Sequence, residues 1–160
     1  MYRRFKGTSR VIELLLSNGA NINDKNSAGS TPLHILVGQK EAWRFTTEGL
    51  SSDGKESISS LVKLVLRKGA LINAQDNKGK TPLHLAVEAQ DDEAILVLLS
   101  NNCNTSLVNG GNQTPLELAK SLRQCNTVIM AMLENPDAFV KPAEKVEVEV
   151  EVGVEGTNQV

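Results

Sequence analysis

Residues 79–84 read Gly-Lys-Thr-Pro-Leu-His, and the same pattern stands earlier in the chain, where residues 29–34 read Gly-Ser-Thr-Pro-Leu-His. A weaker copy, Asn-Gln-Thr-Pro-Leu-Glu, occupies residues 112–117. The threonines of the three copies are Thr31, Thr81 and Thr114, so the first spacing is 50 and the second is 33. Since 50 is 33 plus 17, the chain contains a repeat with a period of 33 and one 17-residue insertion.

A second motif recurs in the same phase. Residues 15–23 read Leu-Leu-Ser-Asn-Gly-Ala-Asn-Ile-Asn, and residues 65–73 read Val-Leu-Arg-Lys-Gly-Ala-Leu-Ile-Asn. The motif returns in shortened form near residue 102, where Asn102 takes the place of Gly19 and Gly69. The spacings from Gly19 to Gly69 and from Gly69 to Asn102 are again 50 and 33, so two independent motifs give the same period.

Each complete repeat predicts a turn followed by two short antiparallel helices. Thr81 is a capping residue, and Pro82 suits the first helical turn, where a main-chain N–H has no partner inside the helix. Residues 94–99 read Ala-Ile-Leu-Val-Leu-Leu and predict a second helix that is covered on both sides. Gly69 is expected to end such a helix in the left-handed conformation, and Gly79 permits a positive φ in the next turn.

The unit resembles the ankyrin repeat, which has the same period and a Thr-Pro-Leu-His signature. The resemblance implies an all-α solenoid of antiparallel helix pairs with β-hairpin loops, and it implies that His34 and His84 tighten the stack. The domain spans residues 9–135. It divides into a partial unit at 9–28, a unit at 29–78 that contains the insertion 41–57, a unit at 79–111, and a cap-like unit at 112–135.

The two ends of the chain lie outside the repeats. Residues 1–8 are basic and are interpreted as a solvated terminus, the alternative being a nuclear-import or anionic-surface patch. Residues 136–160 carry six acidic and two basic residues, a net charge of −4, and alternate Val with Glu. Low complexity favours disorder there, the alternative being strand addition to another chain's sheet edge. The first unit lacks its Thr-Pro-Leu-His helix. We expect such a pattern in a fragment of a longer protein, in the product of an alternative transcript or in that of an eroded gene.

The sequence contains no constellation that predicts catalysis, a metal site or a cofactor. Both histidines belong to the repeat motif, and Cys103 and Cys125 lack metal-ligand or disulfide spacing. Two glycosylation triplets, at Asn104 and Asn112, are interpreted as chance matches in turns. No apolar run approaches the roughly 20 residues that span a bilayer. We therefore expect a non-enzymatic, intracellular protein of the cytoplasm or nucleus, with no metal, cofactor, small-molecule substrate or membrane span.

The resemblance implies binding of another protein through the hairpin tips and the exposed side of the first helices. The positions it indicates are Lys25, Ser27, Ala28, Ser30, Gly38, Gln39, Gln75, Asn77, Lys78, Lys80, Glu88, Ala89, Val108, Gly110, Gln113, Ser121 and Leu122. Trp43 and Phe45 in the insertion are further candidate anchors, because exposed aromatics beside Arg are typical hot-spot residues. The alternative is that these two aromatics pack back on the helix ends.

Three functions stay open at this point. The chain is an adaptor or scaffold, a truncated competitor that mimics a longer ankyrin protein, or a fragment of a longer array without a separate function. The hairpin surface is mixed and mildly basic, which fits a folded or acidic protein partner. Nucleic-acid binding is disfavoured, because the basic residues are scattered and no aromatics stand among them in the repeats.

Overall fold

The computed structural model describes residues 7–38, 57–124 and 126–139. Within these ranges the chain is helical and contains no β-strand. Its helices are α1 (Gly7–Ser17), α2 (Pro32–Gly38), α3 (Ile58–Arg67), α4 (Pro82–Glu88), α5 (Asp92–Ser100), α6 (Pro115–Ser121), α7 (Thr127–Glu134) and the one-turn α8 (Pro136–Phe139). None of these helices is long and apolar enough to cross a bilayer.

The helices stack in two rows. Helices α2, α4 and α6 pack on one another in a first-helix row, and α1, α3, α5 and α7 pack in a second-helix row. Within each repeat α2 pairs with α3, α4 with α5 and α6 with α7. Small aliphatic side chains fill the space between the rows, among them Leu33, Val62, Leu83, Ile95 and Ile129, all at most 1% exposed. The predicted all-α solenoid of helix pairs is confirmed, and α1 stands at its start without a paired first helix in the described chain.

The first helices begin as the sequence predicts. The Thr81 hydroxyl accepts a hydrogen bond from the His84 N–H, and Thr114 caps α6 in the same way. Proline occupies the next position in both helices, where no main-chain N–H is required. Ser57, the last residue of the predicted insertion, is the N-cap of α3 and accepts from the Ser60 N–H. The insertion thus ends in a residue that starts the following helix.

Three of the second helices, α1, α3 and α5, end at left-handed residues. The φ angles are +89° at Gly19, +90° at Gly69 and +56° at Asn102. Only Gly adopts this conformation without a steric penalty, and Asn is its usual substitute. The prediction drawn from the second motif is confirmed at all three positions.

Helices begin within both segments that were predicted to flank the domain. Helix α1 begins at Gly7, so the last two residues of the basic segment 1–8 are helical. Pro136–Phe139 forms α8 against α7, so the first four residues assigned to the acidic tail belong to the folded end. The predictions for Gln39, Trp43, Phe45, Cys125 and the Val/Glu repeat fall outside the described residues and stay predictions.

Candidate functional site

Three tight hairpins precede the first-helix row: hairpin A (residues 24–31), hairpin B (74–81) and hairpin C (107–114). The third residue of each is Asn or Asp, and its side-chain oxygen accepts the main-chain N–H groups two and four residues later, at 2.8–3.1 Å. Two main-chain hydrogen bonds close each loop: the N–H of the third residue donates to the carbonyl four residues later, and its own carbonyl accepts the N–H three residues later. The sequence interpretation missed these residues, Asn26, Asp76 and Asn109, although they recur at the repeat spacing.

Main-chain hydrogen bonds join each hairpin to the next. The Asn77 N–H donates to the Ala28 carbonyl at 3.0 Å, and the Gly110 N–H donates to the Lys78 carbonyl at 2.8 Å. The Asn77 side-chain amide adds a bond to the Ser27 carbonyl at 3.0 Å. The three hairpins therefore form one bonded row of tips.

Glycine permits this close approach. Gly79 has a φ of +68°, and a Cβ placed on it would lie 2.8 Å from the Gly110 nitrogen. Gly29 has a φ of +75°, and a Cβ placed on it would likewise lie too close to Asn77. In hairpin C the equivalent residue is Asn112, with a φ of +58°. No further hairpin follows hairpin C in the described chain, so no later tip requires a glycine at residue 112.

Several predicted binding residues hold the row together. The Lys25 ammonium donates to the Gln75 carbonyl at 2.9 Å, which joins hairpin A to hairpin B. The Gln75 side-chain amide donates to the Val108 carbonyl at 3.0 Å, which joins hairpin B to hairpin C. These side chains remain exposed, as predicted, but part of their hydrogen-bonding capacity is used within the solenoid.

The remaining predicted positions differ in their exposure and in whether their charges are paired. Lys80 forms an ion pair with Glu88 at 2.6 Å, so the two charges neutralise each other. Lys78 is exposed and forms no ion pair with the described residues. Leu122 is half-buried against the core, so it offers less surface to a partner than the exposed positions do. Positions at the tips or helix ends that are exposed as predicted include Ser27, Ala28, Gly38, Val108, Gly110 and Ser121, whereas Ser30, Ala89 and Gln113 are half-buried.

The two histidines link successive repeats. His34 Nδ1 accepts the Thr31 N–H at 3.1 Å, and because that nitrogen is an acceptor, the ring proton is on Nε2. Nε2 then donates to the Lys80 carbonyl at 3.0 Å. His84 repeats both bonds one unit later. Burial lowers the pKa of each ring below the ordinary 6.5, and the carbonyl bonds act in the opposite direction. The predicted role of these side chains in the stack is confirmed.

Glu117 occupies the corresponding position in the last repeat. Its carboxylate accepts the Thr114 N–H at 2.8 Å and the Thr114 hydroxyl at 2.9 Å. These two bonds lower the pKa of Glu117 below its ordinary 4.5, the main-chain bond more strongly. With no following hairpin in the described residues, the side chain serves the local cap alone. This explains why the last unit departs from the motif.

The described residues do not bring metal ligands together. No group of three or more His, Cys, Asp or Glu side chains within them could hold a metal ion. Cys103 is partly buried beside the core, and burial raises the pKa of its thiol to about 12. Since the thiolate is the nucleophilic form, Cys103 is a weak nucleophile.

Comparison with known proteins agrees with this architecture. A family model described as ankyrin repeats in three copies matches residues 51–141, more than half of the chain. No curated protein matched the chain. Ankyrin repeats are generally protein-interaction modules and are typically non-catalytic. Hairpin A and helix α2 repeat the geometry of the matched units upstream of residue 51. The chain therefore belongs to the ankyrin-repeat family.

Proposed function

We propose that this chain is a non-catalytic adaptor that binds another protein through the tips of hairpins A, B and C and the adjoining exposed side of the first-helix row. The observation that supports the proposal is the bonding between neighbouring hairpins. The bonds from Asn77 to Ala28 and from Gly110 to Lys78 fix the spacing of the tips. A surface that is already ordered loses less conformational entropy on binding than a flexible one.

The charge of the row indicates the chemistry of the partner. Hairpin A carries Asp24 beside Lys25, and hairpin B carries half-buried Asp76 and exposed Lys78, whereas hairpin C has no charged residue. The Lys25 ammonium is already bonded to the Gln75 carbonyl. The neighbouring Lys80 is matched by Glu88 on the first-helix row. Lys78 is therefore the cation most available to a partner. An acidic patch on a folded protein fits this surface, and charge of this kind acts mainly on the rate of association.

The test compares two charge reversals in the full chain. Lys78→Glu alters the tip of hairpin B, and Lys68→Glu alters another exposed lysine, which follows α3 in the second-helix row. Each protein is immobilised and incubated with an extract of the source cells, and the captured proteins are compared by quantitative mass spectrometry. We expect a partner that is retained by the original chain and by Lys68→Glu but is depleted with Lys78→Glu.

Kinetics with the purified partner then identify the cause of the depletion. The association rate should fall by about tenfold for Lys78→Glu at low salt, and the difference should shrink as salt screens the charges. Equal losses for the two variants would indicate a general effect of charge. An unchanged affinity of a normally folded Lys78→Glu protein would exclude hairpin B from the binding surface.

A further inference from the structure

Helix α1 exposes apolar side chains whose equivalents are buried in the next two repeats. Val11, Leu14 and Leu15 are 54%, 61% and 54% exposed. Their equivalents are at most 8% exposed and comprise Leu61, Leu64 and Val65 in α3 and Ala94, Val97 and Leu98 in α5. In those repeats a first helix packs against the second helix, and α1 has no such partner in the described chain.

A groove of about 380 Å³ lies beside α1 on the open end of the first-helix row. Ile12, Leu15 and Leu16 of α1 form one wall, and Pro32, Ile35 and Leu36 of α2 form the other. The lining is almost wholly apolar. Because α6 packs on α4 and α4 packs on α2, the groove is the next position in the same row. It therefore continues an interface that the solenoid already uses twice.

Beside the groove lies a main-chain carbonyl whose equivalents in the later repeats each accept two hydrogen bonds. The Lys80 carbonyl accepts from the Asp76 N–H and from the His34 ring, and the Gln113 carbonyl accepts from the Asn109 N–H and from the His84 ring. Ser30 holds the equivalent position in hairpin A. Within the part of the chain that the structure describes, its carbonyl accepts only the Asn26 N–H. A histidine in the position of the absent helix would supply the second bond.

We propose that this groove binds a short amphipathic helix of another protein, one that carries the pattern Pro-Leu-His-x-Ala-Val found in α4. Its Leu and Val side chains enter the groove, its Ala allows a close approach to α2, and its imidazole donates to the Ser30 carbonyl. In α4 the corresponding Leu83, Ala86 and Val87 are at most 1% exposed. The site includes the Ser30 carbonyl at the end of hairpin A but none of the exposed tip residues, and it does not depend on the proposed adaptor function.

The residues directly before α1 do not fit this pattern. Val11 corresponds to Ala94, and the same alignment places Arg3 and Arg4 at the positions of the buried Ala86 and Val87. Two guanidinium groups at buried apolar positions without partners are strongly unfavourable. The groove therefore favours a helix that carries small apolar side chains at the positions of Ala86 and Val87.

The experiment uses the full chain and a synthetic peptide with the sequence of residues 80–91, labelled with fluorescein. Fluorescence anisotropy should show saturable binding, and the peptide should raise the melting temperature of the chain. Leu15→Lys should weaken binding about tenfold or more, since a half-exposed apolar wall is replaced by a charge. The matched control is Leu71→Lys, at a position 60% exposed outside the groove, which should leave binding unchanged. A peptide whose histidine is replaced by alanine should bind more weakly, because it cannot donate to Ser30.

A short peptide forms little helix alone, so a tethered version provides a second measurement. The same peptide sequence is joined through a Gly-Ser linker ahead of Met1, which raises its effective concentration at the groove. The fusion should raise the melting temperature by about 4 °C or more, and Leu15→Lys should abolish the rise. Flat anisotropy together with an unchanged melting temperature of the fusion would overturn the proposal.

Two other occupants would also overturn it, and each has its own signature. If light scattering shows that the free chain is a dimer and Leu15→Lys is a monomer, a second copy occupies the groove. If the peptide binds only after residues 39–56 are replaced by a short linker, that segment of the chain is the occupant.

Discussion

The Nε2 atom of His84 donates a hydrogen bond to the main-chain carbonyl of Gln113 over 3.0 Å, and this bond joins α4 to the hairpin of the next repeat. The ring is fully buried, so its removal leaves a cavity and an incompletely bonded carbonyl. We expect His84→Ala to lower the free energy of unfolding by about 1–3 kcal/mol. Urea denaturation at pH 7.5 measures this loss directly.

Glu117→Ala is the matched control for that experiment. Glu117 caps its own helix as His84 does, but it is exposed and reaches no later hairpin in the described chain. Its replacement should therefore lower stability less than His84→Ala. Equal losses would mean that local capping, rather than the bond between repeats, accounts for the effect at His84.

The second prediction concerns pH. Burial lowers the pKa of His34 and His84 below 6.5, so the folded chain takes up these protons at a lower pH than the unfolded chain. Between the two pKa values the unfolded state binds more protons, and stability falls as pH falls. We expect the free energy of unfolding to be smaller at pH 5.5 than at pH 7.5, with a slope that approaches about 1.4 kcal/mol per pH unit for each histidine.

His84→Gln tests the origin of this pH dependence. The glutamine cannot titrate, so the slope between these pH values should lose the contribution of one histidine. The low pKa of Glu117 affects stability only as pH falls through and below its ordinary 4.5, outside this range. A slope identical to that of the original chain would show that His84 is not one of the groups responsible.

The third prediction concerns the thiol of Cys103. Burial raises its pKa from an ordinary 9.0 to about 12, which lowers the thiolate fraction near pH 8 about a thousandfold. In a Cys125→Ser variant Cys103 is the only thiol, and we expect it to react with a disulfide reagent at least about 100-fold more slowly when folded than in urea. Rapid reaction of the folded protein, with its circular dichroism unchanged, would show that the loop after α5 opens readily.

The fold follows from the sequence because its signals are local. A capping threonine before proline starts each first helix, and a residue with positive φ ends the second helices α1, α3 and α5. Those residues recur with a fixed period, so the interpretation of Thr81 applies to all three first helices and that of Gly69 to three of the four second helices. The stacking of the repeats follows, since a pair of short helices cannot bury its apolar faces alone.

The candidate site was less predictable, because it depends on distances between repeats. Lys25 and Gln75 have the exposure expected of binding residues, but only the placement of neighbouring hairpins shows that they bond to one another's loops. Leu122 and its equivalent Ala89 are both half-buried, and the burial of Leu122 comes from packing against the core, which its place in the motif does not indicate. The open groove at α1 likewise required the comparison of Leu15 with its buried equivalents.

The last prediction tests the close approach of hairpins B and C. Gly69 and Gly79 both have positive φ, at +90° and +68°, but a Cβ at Gly69 meets nothing within 4 Å, whereas one at Gly79 lies 2.8 Å from the Gly110 nitrogen. Gly69→Ala should therefore lower stability only by the strain of the left-handed conformation, about 1–2 kcal/mol. Gly79→Ala should lower it further, because the hairpins must separate and the bond from Gly110 to Lys78 is lost. Urea denaturation gives both values, and equal losses would contradict the tight contact between the hairpins.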